Sequence, residues 1–140
     1  MGRVVIFIWL SIAAIVVVLG FIRLAPSDPL DWNTQPEFSE DKTFRGGVFR
    51  VVRSGEDGLA RFHIVASNAA RTRVLAGSVE DEMVTYVTRT RLLGFPDYTT
   101  ARQDGELLKV YARLRFGRSD LGANNDRINS WIAQMEPAPQ

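Results

Sequence analysis

The 140-residue chain contains no cysteine. That absence excludes disulfide frameworks, acylated lipoprotein anchors, thiol nucleophiles and zinc sites of the usual Cys/His type. Histidine is almost as scarce, since His63 is the only imidazole. It falls beside the apolar stripe of a predicted helix, where a packed or surface role is commoner than a catalytic one. Lysine is rare as well: only Lys42 and Lys109 accompany fifteen arginines. Excess charge is also missing, because from Ala25 onward 15 Lys plus Arg face 16 Asp plus Glu. A nucleic-acid binder normally carries a basic excess, so that class of partner is not expected. The arginines stand out against this neutral background, for the planar guanidinium fork suits paired recognition of carboxylate or phosphate better than a lysine does.

One long apolar run is present, Val4 to Ile22 (VVIFIWLSIAAIVVVLGFI). At about 1.5 Å per residue a helix of that length covers about 28 Å, close to the roughly 30 Å hydrocarbon core of a bilayer. A cleavable secretory signal has a shorter apolar core, about 7–15 residues, and a small-x-small cleavage site. Here the run ends Gly20-Phe21-Ile22-Arg23-Leu24-Ala25-Pro26, without Ala-x-Ala. The expectation is an uncleaved, single-pass membrane anchor. Arg3 and Arg23 balance each other in the positive-inside rule, and the N-terminal amine tips the N-terminus toward the cytoplasm. The body of the chain would then face the periplasm or its equivalent.

Beyond the anchor (1–24) about 115 residues remain, enough for one core and too few for two. The stretch 25–43 carries three prolines, several acids and little periodicity. It reads as a linker leading away from the bilayer, with Trp32 packing onto the domain. The domain proper is expected at 44–136, with a tail at 137–140. Phe44 to Arg53 reads as a strand opened by glycines and Gly55 to Gly58 as a turn. Leu59, Phe62, Val65, Ala66 and Ala69 recur at helical spacing. Thr72 to Ala76 is a short strand closed by Gly77-Ser78, and Glu80-Asp81-Glu82 an acidic tip. Met83 to Leu93 and Asp97 to Arg102 are further strands, parted by Gly94-Phe95-Pro96. Gln103 to Glu106, centred on Asp104-Gly105, is a hairpin signal.

Leu107 to Phe116 alternates most cleanly. Leu108, Val110, Ala112, Leu114 and Phe116 form an apolar face, and Lys109, Tyr111, Arg113 and Arg115 form a face that is wet or bound to something. On this parity Leu114→Asp should unfold the domain and Lys109→Asp should cost little. A last helix starts near Ser119 or Asp120, either of which can cap it. Leu121, Ile128, Trp131, Ile132 and Met135 supply its buried stripe, Asn124 lies on the same stripe, and Pro137 follows its end. The order β-α-β-β-β-β-α predicts an α+β domain, a small antiparallel sheet with helices packed on one face.

Two segments concentrate polar chemistry, Thr88 to Tyr98 (TRTRLLGFPDY) and Arg113 to Ile128 (RLRFGRSDLGANNDRI). Phe95, Pro96 and Asp97, followed by Arg115, Gly117, Ser119, Asp120, Gly122, Asn124 and Arg127 at fixed spacings, resemble the pattern of a known family. It is the bacterial and plastid family classed as domain of unknown function number fourteen ninety-nine. The match covers roughly Arg71 to Ile132, with Arg113 where relatives tend to carry Ser. The resemblance implies a shared fold and leaves activity open.

Physically, the start of the last helix beside strand arginines is a ready anion site. Arg89 and Arg91 share one strand face and Arg113 and Arg115 another, so four guanidiniums converge if the strands are neighbours. The competing expectation is that Asp97 and Asp120 neutralise them in salt bridges that hold sheet to helix. Enzymatic signals are thin: Ser119-Asp120 has no base between its members. Glu80-Asp81-Glu82 reads as a solvated loop with weak capacity for a hard cation. No cofactor and no metal site is expected. The leading expectation is a membrane-anchored, non-enzymatic binding or accessory domain with an Arg-rich face. Its expected partners are the membrane through the N-terminal helix, an anionic ligand or lipid headgroup, and a protein of the envelope. The alternatives are an enzyme acting on an anionic substrate through Asp97, Asp120 and arginines, or a structural subunit of an envelope complex.

Overall fold

A computed structural model describes residues 2–135 of the chain. The first element, α1 (Gly2–Leu24), is a 23-residue helix without a single buried residue. Its length and composition are those of a membrane span, a test that a secretory signal near an N-terminus also passes. After it come α2 (Pro29–Trp32), β1 (Lys42–Phe44), β2 (Gly47–Arg53), α3 (Gly58–Ser67), β3 (Thr72–Ser78), β4 (Met83–Arg89), β5 (Pro96–Asp104), β6 (Leu107–Leu114) and α4 (Ala123–Gln134). Pro137 and the tail lie outside the described residues.

The six strands form one antiparallel sheet in the order β1-β2-β6-β5-β4-β3. β3 to β6 run as a meander, and the β1-β2 hairpin docks beside β6, so α3 must cross the sheet to reach the far edge. Register fixes the faces: Val110 lies opposite Ala101, and Ala112 opposite Val48 and Thr99. On that face α3 and α4 bring Leu59, Phe62, Ala66, Ile128 and Trp131 onto Val48, Val84, Tyr86, Leu108, Val110 and Ala112. The rings of Phe62 and Trp131 meet edge to face, centroids 5.8 Å apart, as an aromatic quadrupole prefers. His63 closes this core, its Nδ1 lying 2.9 Å from the Tyr86 hydroxyl, and burial pushes that phenol's pKa upward.

The α+β architecture and the strand parity are as the alternation predicts, but several local expectations are corrected. The predicted strand at Phe44 is two strands joined through Arg45-Gly46. Gly47 is required here, because a Cβ would stand 2.1 Å from the Ala112 carbonyl oxygen of the paired strand. The strand predicted to reach Leu93 ends at Arg89. The Asp104-Gly105 hairpin shifts by one residue: Asp104 pairs with Leu107, which leaves Gly105 and Glu106 as the turn. Leu121, assigned to the buried stripe, is 94% exposed because the chain still turns there and α4 begins at Ala123.

The largest correction concerns 25–43. This segment does not lead away; it crosses the sheet face opposite the helices as a strap. Trp32 stacks on Tyr98 with centroids 3.9 Å apart. Asn33 Oδ1 accepts from the Thr85 hydroxyl, and Gln35 Nε2 donates to the carbonyls of Thr100 and Lys109. Glu37 pairs with Arg102, Phe38 stacks on Phe49, and Asp41 accepts from the Val51 amide. The sheet is therefore covered on both faces, which is why β4 and β5 are buried almost continuously rather than at every second residue. Lys109 is covered with them: it is buried and held 2.7 Å from Asp104, so the exposed position on which the expected tolerance of Lys109→Asp rests is not what the fold gives it.

Candidate functional site

Sequence reasoning singled out nine residues, and the sheet divides them into groups on opposite faces. The first group lies on the helix face at the start of α4. Asp120 accepts from the amides of Gly122 and Asn124 and from Asn124 Nδ2, satisfying donors that a helix start leaves free. Ser119 Oγ accepts from the Leu121 amide. Asn124, fully buried, also reaches Asp97 and accepts from Arg127 through its Oδ1. Arg127 in turn holds Asp97 Oδ2 from both terminal nitrogens at 3.3–3.4 Å. Burial keeps the Asp97 carboxyl above the ordinary carboxylate range. Arg127 opposes that rise, whereas the neighbouring Asp120 charge adds to it. Asp97 and Asp120 also line a small cavity of about 170 Å³ with Phe95, Leu114 and Phe116.

Arg113 and Arg115 stand on the other face, under the strap. The expectation that Asp97 and Asp120 neutralise them is therefore overturned, and so is the expectation that they flank the α4 start. Asp97 lies opposite Leu114 on the helix face, whereas Arg113 lies opposite Tyr98 and Gly47 on the strap face. Arg113 is 7% exposed yet forms no ion pair among the described residues. Its donors go to the Thr100 hydroxyl at 2.7 Å, the Trp32 carbonyl at 2.6 Å and, at longer range, the Tyr111 and Thr34 carbonyls. Three rings surround it: Tyr111 at 4.5 Å, Trp32 at 5.6 Å and Tyr98 at 5.9 Å. Burial pushes its pKa down to about 10. Arg115 donates to the Pro26 carbonyl and the Tyr98 hydroxyl and lies over Trp32.

Arg113 also borders an open cavity of about 460 Å³ between strap and sheet, with Trp32, Tyr111 and Phe44 as aromatic walls and Arg118 and Asp31 at the mouth. Sequence reasoning did not single out Arg118, Asp31 or Tyr111 as site residues. Their one visible signal was the placing of Tyr111 on the non-apolar side of β6.

The four strand arginines do not converge. Arg89 and Arg91 line a separate cavity of about 280 Å³ with Arg23, Arg71, Thr90 and Gly94. Arg89 there donates to the carbonyls of Arg23 and Gly94, both at 2.9 Å. Arg23 and Arg71 join this group only through the fold, being 18 or more residues from Arg89 in the chain. Among the described residues no group of three or more His, Cys, Asp or Glu side chains is placed to hold a metal ion.

The family model described as Protein of unknown function (DUF1499) matches residues 23–135. That span takes in α2 to α4, the whole sheet, the strap and both arginine groups, so the resemblance read from Phe95-Pro96-Asp97 and from Arg115 to Arg127 is borne out over a longer stretch. No curated protein and no solved structure matches the chain.

Proposed function

We propose, for a chain that belongs to the DUF1499 family of proteins of unknown function, a non-enzymatic binding domain held at a membrane by α1, with its body on the periplasmic side or its equivalent. The observation that carries this reading is Arg113: a buried cation with no carboxylate partner among the described residues, with three rings around it, lining an open cavity. A desolvated guanidinium attracts an anion more strongly than one in water, because less dielectric screening separates the charges. Arg118 at the mouth is offset in charge by Asp31, so the cavity keeps one net positive charge, that of Arg113, and the aromatic walls suit a flat or apolar body attached to the anionic group. The ligand class is therefore a small molecule that joins a carboxylate or phosphate to a ring or apolar segment.

The binding reading is favoured over an enzymatic one by the separation of charges. Asp97 and Asp120 would have to supply acid-base chemistry, yet they lie across the sheet from Arg113 and Arg115. A second reading keeps one support, the raised carboxyl of Asp97 beside a cavity, since perturbed acids in clefts often do chemistry. That cavity is small and Arg127 already occupies Asp97 Oδ2, which fits a structural carboxylate better.

Titration of the full-length protein in non-ionic detergent with phenyl phosphate tests the site. Saturable binding that Arg118→Gln weakens and Arg113→Gln abolishes is expected. A native protein that takes up no phenyl phosphate, or an Arg118→Gln variant that binds as well as native, would overturn the reading. The anchor has its own test: the chain should resist carbonate extraction and keep its N-terminus, and mature protein beginning near Ala25 would refute it.

A further inference from the structure

The second arginine cavity lies where α1 ends. Arg23 is in the last turn of that helix, and the cavity it lines contains four arginines and, among the described residues, no acidic side chain. Among the described residues none of the four takes part in an ion pair. Arg89 is a tie: it donates to carbonyls on both sides and so holds the α1 end against the β4–β5 loop. Arg71 uses only its Nε, on the Arg89 carbonyl, and its backbone sits at φ 55°, in the left-handed region. Arg23 and Arg91 make no side-chain hydrogen bond among the described residues. The Arg23 guanidinium lies against Gly94, where a Cβ would stand 3.2 Å from one of its terminal nitrogens. Guanidiniums gathered this way repel one another, and an anion with several acceptor oxygens removes that repulsion while engaging their forked donors.

The adjoining loop says which anion. Between Arg91 and Gly94 the tip presents Leu92, 90% exposed, and Leu93, 46% exposed. Exposed leucines flanked by arginines, at the point where an apolar helix emerges, match the boundary between headgroups and acyl chains. Resting on the reading of α1 as an uncleaved anchor, we propose that Arg23, Arg71, Arg89 and Arg91 form a headgroup site for an anionic phospholipid of the leaflet in which α1 ends. Leu92 and Leu93 dip into the acyl region beside it. The phosphate is the group recognised, and the lipid rather than free phosphate is its source.

The test uses the full chain in non-ionic detergent micelles doped with equal amounts of phosphatidylglycerol and phosphatidylcholine, with bound lipid read by native mass spectrometry. One retained phosphatidylglycerol is expected in preference to phosphatidylcholine. Arg71→Gln with Arg91→Gln should lower that retention about 25-fold, at roughly five-fold per arginine near an anionic surface. The melting temperature should stay close to native, and Arg118→Gln should leave lipid preference unchanged. Equal retention of the two lipids by the native chain, or an undiminished preference in the double variant, would overturn the site. Displacement of the lipid by an equal concentration of soluble glycerol phosphate would overturn the lipid as its source. N-terminal sequencing of the same samples separates the two layers. Lost preference in an uncleaved chain refutes the headgroup site alone, whereas a chain starting after residue 24 refutes the anchor.

Discussion

Replacing Arg113 by Met keeps most of the side-chain volume and removes the charge, and the outcome depends on how well strap and sheet use that charge. Against the substitution stand the two short hydrogen bonds, to the Trp32 carbonyl at 2.6 Å and the Thr100 hydroxyl at 2.7 Å. Bonds from a charged donor are worth about 1.5–3 kcal/mol each, and the contact with the Tyr111 ring about 1 more. In favour stands the released desolvation, which holds the Arg113 pKa down at about 10. That fall corresponds to on the order of 3 kcal/mol at neutral pH. The balance is a net loss of about 1–4 kcal/mol, and it is local, because the bonds that disappear join the strap to the sheet and leave the helix-face core untouched.

Hydrogen exchange resolves the local from the global. Amides of residues 26–41 should exchange at least about 5-fold, and up to several hundred-fold, faster in Arg113→Met, whereas those of β4 and α4 should slow or quicken by much less. Endoprotease Glu-C, cutting after Glu37 and Glu40, should act faster in parallel. Equal acceleration across strap, β4 and α4 would show that Arg113 supports the whole core, and no acceleration in the strap would show that its hydrogen bonds contribute nothing. Either result refutes the reasoning.

Val110→Asp should abolish cooperative folding, since a charge at a fully buried position opposite Ala101 has no partner and costs more than about 4 kcal/mol; a retained melting transition would contradict the register. Asp120→Ala should cost about 2 kcal/mol in urea unfolding by freeing two amides at the α4 start and one buried Asn124 donor. Asp97 supplies a pH dependence. Its carboxyl is raised in the folded protein, so the native state holds more protons than the unfolded one above the ordinary value of 3.8. Stability from this group is complete below that value and declines as pH rises through the elevated one. Asp97→Asn should therefore flatten the fall in urea midpoint just above the usual carboxylate range, and an unchanged slope would place the effect elsewhere.

Strand parity was legible because a two-residue period survives in β6, where Leu108, Val110 and Ala112 alternate with residues of the other face. The α4 stripe was legible at Ile128 and Trp131 and failed at Leu121, since a turn between Ser119 and Gly122 breaks the helical period before the helix starts. Asn124 was correctly flagged as a buried amide in need of partners. The identity of those partners depended on Asp97, 27 residues away, which only the docking of α4 on β5 brings near. The strap was illegible for a stronger reason. Its contacts run through single side chains, such as Gln35 to two sheet carbonyls, and through its own carbonyls, and neither kind leaves a period in the sequence.

Those carbonyls explain the preference for arginine that composition alone could not. Three arginines from the strap face bind successive carbonyls of the chain leaving α1: Arg89 takes Arg23, Arg115 takes Pro26, and Arg113 takes Trp32. A lysine offers one point charge at the end of a flexible stem, whereas a guanidinium can hold a carbonyl with one nitrogen and a hydroxyl or second carbonyl with another. Arg113 does this with Trp32 and Thr100, whereas Arg89 bridges the carbonyls of Arg23 and Gly94 with a single terminal nitrogen. The strap thus has its direction set at three points within ten residues of chain, starting one residue before α1 ends. A polar sheet face that would otherwise be hydrated becomes a fixed seat for that exit, and it sets the β4–β5 loop, with Arg91, Leu92 and Leu93, beside the end of the helix.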